Sequence, residues 1–211
     1  MTVPPAACAE LAQLGVATVY EAAGRTGLID VALERIVPGA RTCGPARTVR
    51  CGQGDNLMVH AAMAAVAPGE VLVLTMPEPE PVALIGDLLV TQALAAGAAG
   101  ILCDAAVRDR EELEVIGLPV WTRWVRSRGA TKERVGALDV TVELGGQPIR
   151  PGDLVVLDAD GAVVVAAERA QEVLQASLAR EDRERVKRAK LQAGEKSYDL
   201  DGLRAIVEGE R

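Results

Sequence analysis

Two short apolar runs, Val71-Leu72-Val73-Leu74 and Gly100-Ile101-Leu102-Cys103, stand either side of an Ala/Leu-rich helical stretch at 88–96. A run without polar alternation is the pattern of a strand buried on both faces. Such strands need a covering layer above and below, and the rest of the chain has to supply both. Hydrophobic residues make up 49% of the chain, yet aromatics are only 2% and Phe is absent. The layers are therefore built from Val, Leu, Ile and Ala, as sheets covered by Ala-rich helices. A chain of 211 residues is long enough for one good-sized core, and an α/β fold in one domain is the economical reading.

The remaining pattern extends this picture. Residues 6–24 read as a helix, and the alternation Ala46-Arg47-Thr48-Val49-Arg50 as a strand. Residues 55–66 read as a helix capped by Asp55. Gly97 is a C-cap for the 88–96 helix. The runs at 140–144, 154–157 and 162–166 look like antiparallel strands, with a turn at Asp158-Ala159-Asp160-Gly161. From 168 to about 192 the pattern is one long helix whose apolar residues thin out after Leu178. We therefore divide the chain into an α/β domain at 1–167 and a helical arm at 168–211. The arm is either solvated or packed on a neighbouring subunit.

Charge and cysteine use exclude several classes. A formal charge of −7 argues against a nucleic-acid surface, which needs concentrated positive charge. No apolar stretch reaches the ~18 residues of a membrane span, and Met1 to Glu10 carry no basic leader; a cytoplasmic location is expected. Cys8, Cys43, Cys51 and Cys103 form no CxxC pair, and His60 is the one histidine, so a zinc site is not expected and the thiols read as small buried hydrophobes.

The chemistry concentrates between Gly86 and Asp109. Gly86-Asp87-Leu88-Leu89 opens a helix, whose free N–H groups suit a carboxylate. After the strand at 100–104, Arg108-Asp109 sets a fixed cation beside a hard oxygen ligand. Read alone, Arg108-Asp109 also fits a surface pair at a helix start, and His60 a packed mid-helix residue. Asp104, at the strand end and near Arg108 in sequence, is expected to orient that loop or to fix the arginine.

The order of motifs resembles the RraA-like family, which includes the class II 4-hydroxy-4-methyl-2-oxoglutarate aldolases. The matching elements are Gly54-Asp55-Asn56-Leu57 with His60, Pro68-Gly69-Glu70-Val71-Leu72-Val73, Gly86-Asp87-Leu88-Leu89, Asp104 with Val107-Arg108-Asp109, and Pro151-Gly152-Asp153-Leu154-Val155. The resemblance implies a compact swivelling β/β/α-type fold assembled as homotrimers or hexamers. It implies retro-aldol cleavage of a 4-hydroxy-2-oxo acid to pyruvate, with oxaloacetate decarboxylation as a second activity and Mg²⁺ or Mn²⁺ as cofactor. On this reading Asp109 is the metal ligand and Arg108 the enolate stabiliser. Gly86, Asp87, Leu88 and Leu89 hold the pyruvyl carboxylate. An acid arrives from a neighbour's C-terminal helix, Glu184 first and Glu181 as the alternative. Glu184 also fits an i,i+4 pair with Arg188, and Glu181 one with Arg185.

Three departures from the family pattern bear on the pocket: Ala105 where glycine is usual, Glu21 in place of a common aspartate, and Trp124 and Ser127 in a segment that more often carries Gly and Pro. The competing function is a non-enzymatic regulator that binds a ribonuclease, as other members of the family do.

Overall fold

The computed structural model describes residues 4–209. In chain order the elements are α1 (Pro5–Leu14), α2 (Val16–Ala22), β1 (Glu34–Arg35), β2 (Thr42–Arg50), α3 (Leu57–Met63), β3 (Val71–Thr75), β4 (Ala83–Ile85), α4 (Asp87–Ala95) and β5 (Gly100–Val107). They continue as α5 (Arg110–Ile116), β6 (Val120–Val125), β7 (Ala137–Leu138), β8 (Val142–Leu144), β9 (Gln147–Ile149), β10 (Leu154–Asp158), β11 (Gly161–Val165), α6 (Ala170–Gln192), α7 (Ser197–Leu200) and α8 (Leu203–Glu208). The α/β class is as expected.

β2 is the strand on which the architecture turns. Its first half, Thr42 to Pro45, pairs antiparallel with β10; its second half, Ala46 to Arg50, pairs parallel with β3. The main sheet runs β1-β6-β5-β3-β2-β10-β11. Alternation along these strands then sorts side chains into three apolar layers. Leu72 and Leu74 of β3 join Val59, Val90 and Leu113 beneath α3, α4 and α5. Val71 and Val73 face the other way and meet Val155, Leu157 and Trp121 between the two halves of the sheet. Leu154 and Val156 of β10 pack under α1, α2 and α6 with Leu11, Val19 and Val173. This is the β/β sandwich with helices outside that the family resemblance implies.

The expected single helix at 6–24 is two helices. Gly15 breaks it at φ +82, and Asp158 from the far end of β10 accepts the Val16 N–H at 2.9 Å to cap α2. A side chain at Gly15 would meet that carboxylate, since an added Cβ lies 2.7 Å from Asp158 Oδ2. The break therefore comes from a partner remote in sequence.

β5 also runs further than expected, through Val107, and all its residues are buried. β3 pairs with it as far as Cys103, after which β4 takes over beside Ala106 and Val107. Asp104 is thus inside a strand and not at the strand end. Its carboxylate meets Arg123 at 3.1 Å and does not orient Arg108. Burial pushes the Asp104 carboxyl up to about 6 although Arg123 opposes the shift. A raised carboxylate pKa means that the fold favours the protonated form; the associated stability is present below the unfolded value and is lost as pH rises through 6. Asp104→Asn, which stays neutral, should therefore gain stability relative to wild type between pH 4 and 7. Urea midpoints across that range test this; a gap that does not change with pH would contradict it.

All four cysteines are buried, as expected. α6 packs its first half on α1 and α2. Its second half is largely exposed, with Val186 and Leu191 uncovered. Among the described residues no helix is long and apolar enough to cross a membrane.

Candidate active site

β4 and β5 lie side by side and in parallel, so their carboxyl ends open at the same edge. Gly86 follows β4 directly and Arg108 follows β5, which puts both at the crevice where α/β sheets bind ligands. The Arg108 N–H donates to Ile85 O at 3.1 Å, tying the two strand ends together. Between them lies a cavity of about 310 Å³ whose lining includes Gly86, Asp87, Leu88, Leu89 and Arg108. Five of the residues predicted from the two turns thus line one cavity; Asp109 does not line it and lies just behind Asp87 and Arg108.

Asp109 takes φ +57, the left-handed region that few non-glycine residues occupy. This turn carries its side chain back toward α4. Its Oδ2 accepts the Asp87 N–H at 3.2 Å and lies 3.4 Å from Arg108 Nε. The first intrahelical bond of α4 is Val90 N–H to Gly86 O at 3.1 Å. The amides of Leu88 and Leu89 therefore precede the helix's own ladder and remain available to an anion. Arg108 is about half exposed and Asp109 one-third, so both can meet a ligand entering from solvent.

Gly86 has an extended backbone, with φ −145, so its glycine is not needed for conformation. It is needed for space. A Cβ there would collide with Asp109 Oδ2 and sit 3.1 Å from Arg108 Nε. Gly129 serves the same end from the opposite wall, where an added Cβ would lie 3.2 Å from Arg108 Nη1.

Asn56, His60, Gln92, Ala130 and Lys132 also line the cavity; the sequence reading places none of them in the site. Asn56 and His60 share a face at the start of α3 one turn apart, a spacing the sequence does show. Asn56 Nδ2 donates to Leu84 O at 2.8 Å, while its buried Oδ1 has no hydrogen-bond partner among the described residues. A buried acceptor without a partner is uncommon and marks a place where a donor from a ligand or water can bind. Trp124 and Ser127 do not line the cavity; Trp124 lies beneath the Arg123 guanidinium, 5.0 Å from it. Ala105 is buried within β5, with its carbonyl held by the Thr122 hydroxyl at 2.9 Å. It therefore does not set the loop that carries Arg108.

Glu184 is not among the cavity-lining residues of its own chain. It pairs with Arg180 at 2.8 Å, and Arg180 approaches Glu21 at 3.9 Å across the α2–α6 contact. Glu181 pairs with Arg188, so both acids choose partners other than those the i,i+4 pattern suggested.

As a donor set the site suits a hard, hydrated divalent cation. Asp109 Oδ1 accepts no hydrogen bond among the described residues, and Asp87, whose N–H Asp109 Oδ2 accepts, lines the cavity. No cluster of three or more His, Cys, Asp or Glu side chains able to hold a metal occurs among the described residues. One or two carboxylates plus water is the mode of Mg²⁺, whereas zinc takes three or four protein ligands.

A family model described as RraA-like (Aldolase/RraA) matches residues 16–164. A relative from Halalkalibacterium halodurans, named "Putative 4-hydroxy-4-methyl-2-oxoglutarate aldolase", is 39% identical over 132 residues, which is 63% of this chain and 63% of that protein. The match thus spans under two thirds of the relative's length. Among solved structures, a protein from Pseudomonas syringae pv. tomato superposes with a TM-score of 0.82 at 27% identity, covering 93% of this chain and 96% of that one. RraAS2 of Streptomyces coelicolor, described as an unusual member of the RNase ES inhibitor RraA protein family, gives 0.78 at 30% identity, covering 89% and 98%. With a family model spanning most of its length and these structural matches, the chain belongs to the RraA-like family.

Proposed function

We propose that this protein is a divalent-metal-dependent lyase that cleaves 4-hydroxy-2-oxo acids to pyruvate and also decarboxylates oxaloacetate. One observation carries the reading: Arg108 and the open first turn of α4 line a single cavity, and the Asp109 carboxylate adjoins it by accepting the Asp87 N–H. The aldolase name of the H. halodurans relative points the same way.

The roles follow from charge. The amides of Leu88 and Leu89 receive the carboxylate next to the 2-oxo group, at the positive end of α4. C–C cleavage moves negative charge onto the 2-oxo oxygen, and the Arg108 guanidinium stabilises it there. Mg²⁺ or Mn²⁺, held by Asp109 with Asp87 beside it, would supply Lewis-acid stabilisation to the same oxo-acid end. Lys132 has no ion pair among the described residues and lines the same cavity, so it would receive a second substrate carboxylate. Glu184 of a neighbouring subunit in a homotrimer or hexamer would act as acid. The exposed second half of α6 supports this, as do Leu88 at the cavity and Val115 on the adjacent α5, both well exposed.

Pyruvate release from 4-hydroxy-4-methyl-2-oxoglutarate and from oxaloacetate, measured with Mg²⁺ and with EDTA, tests the proposal. Turnover with metal and its loss in EDTA are expected. The likeness to the S. coelicolor protein supports a second reading, a regulator that binds a ribonuclease without turning anything over. Absence of pyruvate from either acid in the metal-supplied, assembled protein would favour that reading and reject the lyase.

A further inference from the structure

We propose that Asp55 is a positioning residue: its buried carboxylate latches the basic segment at 126–134 over the cavity and so presents Lys132 to the ligand. The role in catalysis rests on the oxo-acid reading above; the latch itself does not.

The segment has reason to leave. It carries Arg126, Arg128, Lys132 and Arg134 with Glu133 as the one acid, and its residues are exposed apart from Ala130. Between 123 and 134 the ion pair found among the described residues is Arg123 to Asp104. Arg126 and Arg134 spend their guanidinium contacts on the carbonyls of Val125 and Gln53. Like charges without counter-ions repel one another. No regular helix or strand covers 126–134.

What holds it is local and converges on one group. Asp55 is fully buried. Its Oδ2 accepts the Thr131 hydroxyl at 2.6 Å, the Glu133 N–H at 2.6 Å and the Arg134 N–H at 3.1 Å. Its Oδ1 caps α3 through the Leu57 N–H at 2.8 Å. Backbone bonds flank the carboxylate: Asn56 N–H to Thr131 O at 2.9 Å and Thr131 N–H to Gly54 O at 3.0 Å. Further along, Ala83 N–H reaches Arg128 O at 2.7 Å. Gly129, Ala130 and Lys132, the part of the segment that lines the cavity, follow that second anchor and run into the first.

Burial alone would raise the Asp55 carboxyl, but the Thr131 hydroxyl and the amides of Glu133, Leu57 and Arg134 outweigh it and hold the group at about 2. Asp55 is thus ionised throughout the working pH range, and its hydrogen bonds are of the strong, charge-assisted kind. The same short turn places Asn56 in the cavity wall and Asp55 behind the basic segment. One motif therefore sets two walls of the cavity at once.

Asp55→Asn keeps the side chain's size and removes the charge that gathers three donors. Trypsin should cut the native variant after Arg126, Arg128, Lys132 or Arg134 at least about tenfold faster than wild type. KM for 4-hydroxy-4-methyl-2-oxoglutarate should rise about tenfold with kcat within about threefold, because its second carboxylate keeps its charge through cleavage and Lys132 contributes binding that is equal in the ground and transition states. In a Lys132→Ala background the same substitution should add less than about twofold to KM. Thr131→Val removes the hydroxyl donor alone, and should shift cleavage and KM in the same direction by a smaller factor if Asp55→Asn fails to fold. Wild-type cleavage rates in every folded variant would overturn the latch. KM effects of Asp55→Asn and Lys132→Ala that multiply in full would overturn the route through Lys132. The cleavage comparison needs no substrate, so it decides the latch even if the wild type turns over neither acid.

Discussion

Arg108→Ala is expected to lower pyruvate release from both oxo acids by at least ~10²–10³-fold in kcat, the loss typical of removing one donor from a developing oxyanion. The stability of the fold should hardly change. The Arg108 side chain is about half exposed, and its ionic partner is the neighbouring Asp109 at 3.4 Å. Exposed pairs of this kind contribute little to stability, so urea midpoints near wild type should accompany the loss of turnover. Lysine at this position restores the charge without the planar fork, and we expect only a partial recovery. The same variant tests the arm. Glu184 lies outside the cavity of its own chain, so Arg108→Ala and Glu184→Gln chains, each inactive alone, should regain activity when dissociated and reassembled together. A mixed oligomer would then hold some sites with an intact Arg108 on one subunit and an intact Glu184 on the next. No recovery, with mixed assembly verified, would remove Glu184 from the reaction. Near-wild-type turnover by Arg108→Ala would move the chemistry to another site.

The parts of this site legible in the sequence are those set by neighbours in the chain. β3, α4 and β5 announce themselves through apolar runs and Ala/Leu spacing. Gly86 stands out because it opens the 88–96 helix, and Arg108 because it closely follows the strand at 100–104. The parts that are not legible depend on what arrives from elsewhere. β5 extends to Val107 because β4 replaces β3 as its partner beyond Cys103, which moves Asp104 inside a strand and hands it to Arg123. The helix at 6–24 breaks because Asp158 reaches Val16 from 142 residues away. Asn56, His60 and Lys132 come to line one cavity with Arg108 only after α3, α4 and the 126–134 segment have packed together. Trp124 and Ser127 stand out by size and type, yet the segment turns so that Gly129, Ala130 and Lys132 face the cavity instead. A motif match could name the Arg and the Asp, but the remaining walls are a property of the packing.

Gly86→Ala is expected to abolish turnover in a protein that folds normally. The added methyl meets no backbone obstacle, since φ −145 is open to any residue. It does collide with Asp109 Oδ2 and lies 3.1 Å from Arg108 Cγ, so the carboxylate has to leave. Asp109 can leave only by giving up the Asp87 N–H that it accepts at 3.2 Å. It would also have to move from a left-handed turn with φ +57, which has little latitude of its own. One methyl group thus displaces the proposed metal ligand, crowds the Arg108 side chain and narrows access to the first turn of α4. Misplacing reacting groups by about 1 Å can cost roughly 10² in rate, and here two groups move together, so we expect a loss of at least about 10³-fold. Thermal or urea midpoints should stay close to wild type, because the displaced groups are partly solvent-exposed and contribute little to the core. Mn²⁺ binding followed by electron paramagnetic resonance should weaken in parallel. A Gly86→Ala variant that keeps wild-type turnover would mean that Asp109 and Arg108 do not work in the geometry found here. A variant that binds Mn²⁺ normally but turns over slowly would confine the damage to Arg108.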